Sequence, residues 1–307
     1  MNKILYLVML AGWGVASLAQ NEPVIAHFVY HGHVFNPAVS GNARDIYLGA
    51  LYRQQWIGFR EAPGTLLVNA HGYIPKAYGG VGLVITNDML GKQRFTTVRG
   101  SYAYAQRLND RARISLGLSI GMFNAFVKGT ELIYQTLPYS MDQSAVLTNT
   151  NRFKVFLATG VEFSGYNATV GFAVNNLDQG IGRATPFRVP RHYFTYARYD
   201  WDINERLRFT PAVFVRFIEF IAQAEANMLF TIRKRILLGA LYRSTDAAGL
   251  ILGGYITKNL LASYAYDFGF GELRKHQTGS HEIQLQYRIS LPKPKPVFIK
   301  SPRYVQG

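Results

Sequence analysis

The chain has 307 residues, with 33 Lys and Arg against 18 Asp and Glu, a formal charge of +15 at pH 7, and no cysteine. A mean hydropathy of +0.00 is far too polar for a bundle of transmembrane helices, and the lack of cysteine removes disulfides as a source of stability in an exported chain. Tyr and Phe each number 20, which suits a barrel with aromatic girdles at both bilayer interfaces.

Asn2 and Lys3 precede an apolar run from Ile4 to about Val15, and Ser17 and Ala19 occupy the small-residue positions that signal peptidase requires. This predicts a secretory signal over residues 1–19, cleaved before Gln20. The run is shorter than the roughly 20 residues of a spanning helix, and no cysteine follows it to make a lipoprotein. The longest later apolar candidate, 211–222, is interrupted by Arg216 and Glu219. Residues 20–43 form an N-terminal segment, either periplasmic or inside a lumen.

From residue 44 to 289 the chain divides into short stretches that alternate apolar and polar, separated by turn-type residues. In the clearest, Ile114, Leu116, Leu118, Ile120 and Met122 make one face, and Arg113, Ser115, Gly117, Ser119 and Gly121 the other. The pattern predicts about 14 strands: 44–54, 64–73, 80–86, 94–107, 112–124, 153–163, 166–174, 191–201, 206–217, 222–232, 235–243, 249–256, 260–268 and 279–289. The expected fold class is all-β, a transmembrane antiparallel β-barrel. An even strand count leaves both mature termini in the periplasm. Short turns at 108–111, 202–205, 233–234 and 258–259 then lie on that side, and longer loops at 126–152, 175–190 and 269–278 face outward.

The charges fix the phase of the strands. Arg99, Arg113, Lys154, Glu162, Arg208, Arg216, Glu225, Glu282 and Arg288 share the polar face, and an Arg facing lipid at mid-bilayer would cost about 2–4 kcal/mol. That face therefore points inward, where the small residues Gly117, Ser119, Gly121, Ala158 and Gly160 leave room for something else. The tail 290–307 is rich in proline and wholly positive in charge; it reads as an extended periplasmic arm, a docking segment or a disordered end. The basic balance fits lipid or lipopolysaccharide phosphates, a lumen lining or acidic partners better than nucleic acid.

Catalytic chemistry has little support. His31 and His33 lie close to each other, but no carboxylate or cysteine nearby in sequence completes a ligand set. Gly117-Leu118-Ser119-Ile120-Gly121 spells a hydrolase elbow but lies mid-strand, where no sharp strand-to-helix turn is available. No catalytic residue, metal site or cofactor is predicted.

Four blocks stand apart from the alternation. They are Asn36-Pro37-Ala38 running to Gly41, Arg53-Gln54-Gln55-Trp56, Asn87-Asp88-Met89-Leu90-Gly91, and Gly279-Ser280-His281-Glu282-Ile283. In this order they resemble the PorP/SprF family of Bacteroidota outer-membrane proteins, associated with the type IX secretion system, and the resemblance covers essentially the whole barrel. It implies a non-enzymatic barrel that helps secrete, or holds at the cell surface, large proteins, including adhesins of gliding motility, together with other secretion components. A transport channel, porin-like or resembling the fatty-acid transporters, is the alternative suggested by the polar inner face and the Asn36-Pro37-Ala38 block. Each block also has a plainer reading: a turn bringing the N-terminal segment into the lumen for Asn36-Pro37-Ala38, a girdle aromatic for Trp56, a loop turn at Asp88 and Gly91, and strand closure for His281 and Glu282.

Overall fold

A computed structural model describes residues 24–41, 45–129, 148–178, 189–270 and 277–291. The predicted signal, most of the predicted outer loops and the tail beyond residue 291 lie outside these. The strands are β1 (Ile46–Gln54), β2 (Gly64–Ile74), β3 (Gly79–Leu90), β4 (Gln93–Asn109), β5 (Ala112–Val127), β6 (Thr150–Gly165), β7 (Ala168–Asn175), β8 (His192–Tyr199), β9 (Trp201–Asn204), β10 (Leu207–Ile218), β11 (Ile221–Ile232), β12 (Ile236–Arg243), β13 (Ala247–Tyr255), β14 (Leu260–Gly269) and β15 (Ser280–Ile289). β8 and β9 both pair with β10 and form one strand interrupted at Asp200. Neighbours in sequence pair antiparallel, and β15 pairs back onto β1, so the sheet closes as a 14-stranded barrel. Closure leaves no free edge, the condition for a sheet in lipid.

The side chains keep the expected phase. On β5, Leu116 and Leu118 are 62% and 67% exposed, whereas Ser115 and Ser119 are 1% and 6% exposed. The apolar face is therefore the outer, lipid-facing one, and Arg99, Glu162, Arg216, Glu225 and Glu282 are buried within the barrel. The two-residue hairpin loop Tyr166-Asn167 has positive φ at both positions, the type I′ geometry that matches strand twist, and the three-residue loop 233–235 has positive φ at Arg233 and Lys234. Tyr166 therefore belongs to a turn, and not to the start of the strand expected over 166–174.

Two other expectations need revision. Asp88 lies within β3, opposite Thr65 and Phe95, because β3 and β4 run on to a tight turn after Leu90. Thr65 Oγ1 donates to Asp88 Oδ1 at 2.5 Å; only Gly91 of that block, at φ +58, makes the turn. The inner face is also less polar than the charge pattern suggested. Leu229, Leu237, Leu241, Ile251 and Leu261 all point inward and are buried, which a water-filled lumen would not tolerate cheaply. The reason is what fills it.

Candidate functional site

Residues 24–41 lie inside the barrel as a plug of short turns. They include a single helical turn, α1 (Gly32–Phe35), and a 3-10 turn, Pro37–Val39. Ala26 packs into the apolar cluster of β11–β14. Ile25, Phe28, Val34 and Phe35 pack against Leu51, Leu67, Val84, Phe194 and Phe214 from the other strands. Phe35 packs with tilted rings against Phe194 and Phe214 at ring distances of 5.4 and 4.7 Å. Contacts to β1, β2, β3, β8, β10 and β11–β14 mean that the plug is held from around the wall, at roughly 25 cal/mol per Å² of apolar surface removed from water.

The polar hold on the plug begins at Glu282 of β15. Its carboxylate accepts from the backbone N–H of Ala26 at 2.9 Å and of His27 at 3.0 Å, and from His27 Nδ1 at 2.5 Å. Arg53 Nη1 donates to the same carboxylate at 3.1 Å, and Arg53 Nη2 donates to Asp267 Oδ2 at 2.6 Å. Arg243 then bridges Asp267 at 3.4 Å and Glu225 at 2.7 Å. Three carboxylates and two guanidiniums thus form a chain of buried charge across β11, β12, β14, β1 and β15, which ends at the plug where Glu282 meets Ala26 and His27. Such charges are tolerable out of water only when paired.

The Asn36-Pro37-Ala38 turn has a seat of its own. Asn36 Oδ1 accepts from Ala38 N at 2.9 Å and caps the 3-10 turn, while Nδ2 donates to Val161 O at 3.0 Å and Tyr196 Oη at 3.1 Å. The turn presses on Gly117 of β5 and Gly160 of β6, where any Cβ would collide with Ala38 or Asn36. Gly41, at φ +69, lies against the backbone of Gly80, which likewise has no room for a Cβ. Arg99 Nη2 donates to the His33 carbonyl at 3.1 Å and also to that of Val34.

His31 and His33 hold to different partners. His31 Nε2 donates to Gln284 Oε1 at 3.1 Å and its Nδ1 accepts from Asn69 Nδ2 at 3.1 Å, an arrangement that suits the neutral ring. Burial, aided by the neighbouring His27, brings its pKa down to about 4. His33 bonds Ser101 Oγ at 2.8 Å, and burial, with His71 and Arg99 close by, holds it well below the ordinary histidine range.

The second and fourth blocks meet at the end of the barrel that carries the longer loops. Gln55 N donates to Pro63 O at 2.9 Å, Trp56 N to Ser280 Oγ at 3.2 Å and Ile57 N to Gly279 O at 2.9 Å. Trp56 itself adopts φ +49 and sets its ring edge-on to Phe59. His281 and Glu282, adjacent in sequence, point to opposite sides: Glu282 inward, and His281 outward, bonded to Tyr264 Oη at 2.5 Å. The alternation singled out neither Asp267 nor Arg243; an inward position near the end of β14 or β12 was the available signal.

A closed antiparallel barrel with an apolar outer face belongs to the class of outer-membrane β-barrels. The structure is similar to the CymD monoaromatic hydrocarbon channel (TM-score 0.50, 8% identity, 86% of this chain and 93% of that one). It is also similar to the Ralstonia pickettii toluene transporter TbuX (TM-score 0.50, 11% identity, 83% and 92%). At such identities the likeness is one of fold. The family described as type IX secretion system membrane protein PorP/SprF matches residues 17–287, and the chain belongs to that family. No curated protein matches the sequence.

Proposed function

We propose that this protein is a non-enzymatic, plugged barrel of the type IX secretion and gliding machinery, which binds a secretion component or a secreted surface protein and does not conduct solute. The observation that carries this reading is the filling of the lumen by residues 24–41, held by Glu282 and by an apolar seat. A barrel closed in this way works through its surfaces. The short-turn end and both mature termini face the periplasm in this reading, and the tail 290–307 serves as a docking arm there. Outer-membrane lipid surrounds the apolar face.

Deletion of the gene followed by inventory of cell-surface proteins tests the reading: type IX substrates should be lost from the surface, and unchanged display of all of them would sink it. Planar-bilayer recording separates it from the transport alternative. A stable open pore with anion preference would favour a channel.

A further inference from the structure

A cavity of about 270 Å³ lies in the barrel beside the plug, on the short-turn side. Phe28, Tyr30 and Phe35 of the plug form one wall, and Tyr47, Tyr196 and Phe214 of the barrel face them. Its charged lining is Arg113 of β5, Glu162 of β6 and Arg198 of β8. A second cavity, of about 530 Å³, shares Arg113, Ser164, Thr169 and Arg198 with the first and leads past Arg107 and Arg111 toward the short turns. With Asp110 and Asp200 also on its lining, this approach carries four arginines against two aspartates, a net positive balance.

The charges in the chamber do not balance. Glu162 lies within electrostatic reach of both Arg113 and Arg198, leaving two guanidiniums to one carboxylate, and the Glu162 carboxylate also takes the hydroxyl of Tyr196. Arg198 spends Nη1 on the plug carbonyl of Val29 at 3.2 Å. The Nε atoms of Arg113 and Arg198 are buried and bond no described residue. Arg113 and Arg198 are half-buried; a guanidinium drawn partly out of water without a counterion of its own is left under-compensated, and a carboxylate is the planar acceptor its fork matches. The remaining lining is aromatic. Its volume lies just below the roughly 300–1,000 Å³ usual for ligand pockets, too small for a lipid or a peptide of several residues.

We propose that this chamber binds a small organic anion, a monocarboxylate with an aromatic or short aliphatic body. The carboxylate sits on Arg113 and Arg198, and the body lies against Phe28, Tyr30 and Phe214. The ligand touches plug and wall together. The proposal stands apart from the secretion reading, because neither needs the other.

Titration calorimetry on the purified full chain in detergent, with benzoate as probe, tests it. Benzoate should bind at least tenfold more tightly than benzyl alcohol, which lacks the charge, and than acetate, which lacks the body. This comparison uses the unaltered protein and depends on no variant folding. Arg113→Gln and Arg198→Gln should each weaken benzoate at least tenfold, while Arg206→Gln, among the short turns, should leave it unchanged. Absence of benzoate binding, equal binding of benzyl alcohol, or loss with Arg206→Gln alone would overturn the proposal.

Discussion

Gly117 of β5 and Gly160 of β6 are register partners, and the Asn36-Pro37-Ala38 turn of the plug rests on the flat patch they leave. Two strands have given up side chains at one level so that a backbone from elsewhere in the chain can reach the wall. Gly160→Val places methyl groups where Asn36 Oδ1 lies. Overpacking of this kind costs about 1–3 kcal/mol, so the variant should melt earlier and conduct more than the parent in bilayers. Gly100→Ala is the control, because no atom lies within 4 Å of its added methyl.

Glu282→Gln keeps the shape and removes the charge. The N–H groups of Ala26 and His27 retain an acceptor, but Arg53 keeps only Asp267 as a counterion. Breaking a buried ion pair costs about 3–5 kcal/mol. Denaturant unfolding should show a loss of that order, with the plug residues becoming accessible to protease first. An unchanged unfolding midpoint would mean that the pair holds nothing.

Acid should loosen the plug. His31 is held at about 4 against an ordinary 6.5, so between those values the unfolded chain binds a proton that the folded one refuses. Stability is then complete above about pH 6.5 and falls as the pH drops toward 4. A tenfold change in proton affinity is about 1.4 kcal/mol, which puts the His31 share at about 3 kcal/mol. Melting curves from pH 7 to 4 should show the decline, and His31→Gln should make it shallower, with His33 keeping its own share. The same slope in both proteins would assign the effect elsewhere.

The outer face offers an independent check on the phase of the strands. Leu118, at the centre of β5, is 67% exposed, and Arg in its place should cost about 2–4 kcal/mol in the bilayer. Refolding yield into lipid vesicles should fall for Leu118→Arg. If the yield matched that of the parent, the assignment of β5 as spanning would be wrong.

Most of the barrel was legible because alternation and charge act together. Arg99, Glu162 and Glu282 each chose a side, and their strands followed. The inward glycines of β5 and β6 show in the sequence that the lumen has room, and a turn at Asn36-Pro37-Ala38 into the lumen is one of the readings open there, beside a periplasmic segment. The partners of that segment were not legible. Glu282 meets Ala26 across 256 positions, and no local pattern connects the two. Asp88 was misplaced because Asn87-Asp88 reads as a turn by composition, whereas pairing with Phe95 and a bond from Thr65 keep it in β3. Inward leucines such as Leu237 and Leu261 contradict a polar lining only if the lumen is taken to be wet.

Glu282 lies on the last strand, and that strand seals the barrel by pairing Glu282 with Arg53 on the first. The group that grips the plug and the seam that closes the cylinder are therefore one place. A change at Glu282 thus bears on the stopper and on the first and last strands together.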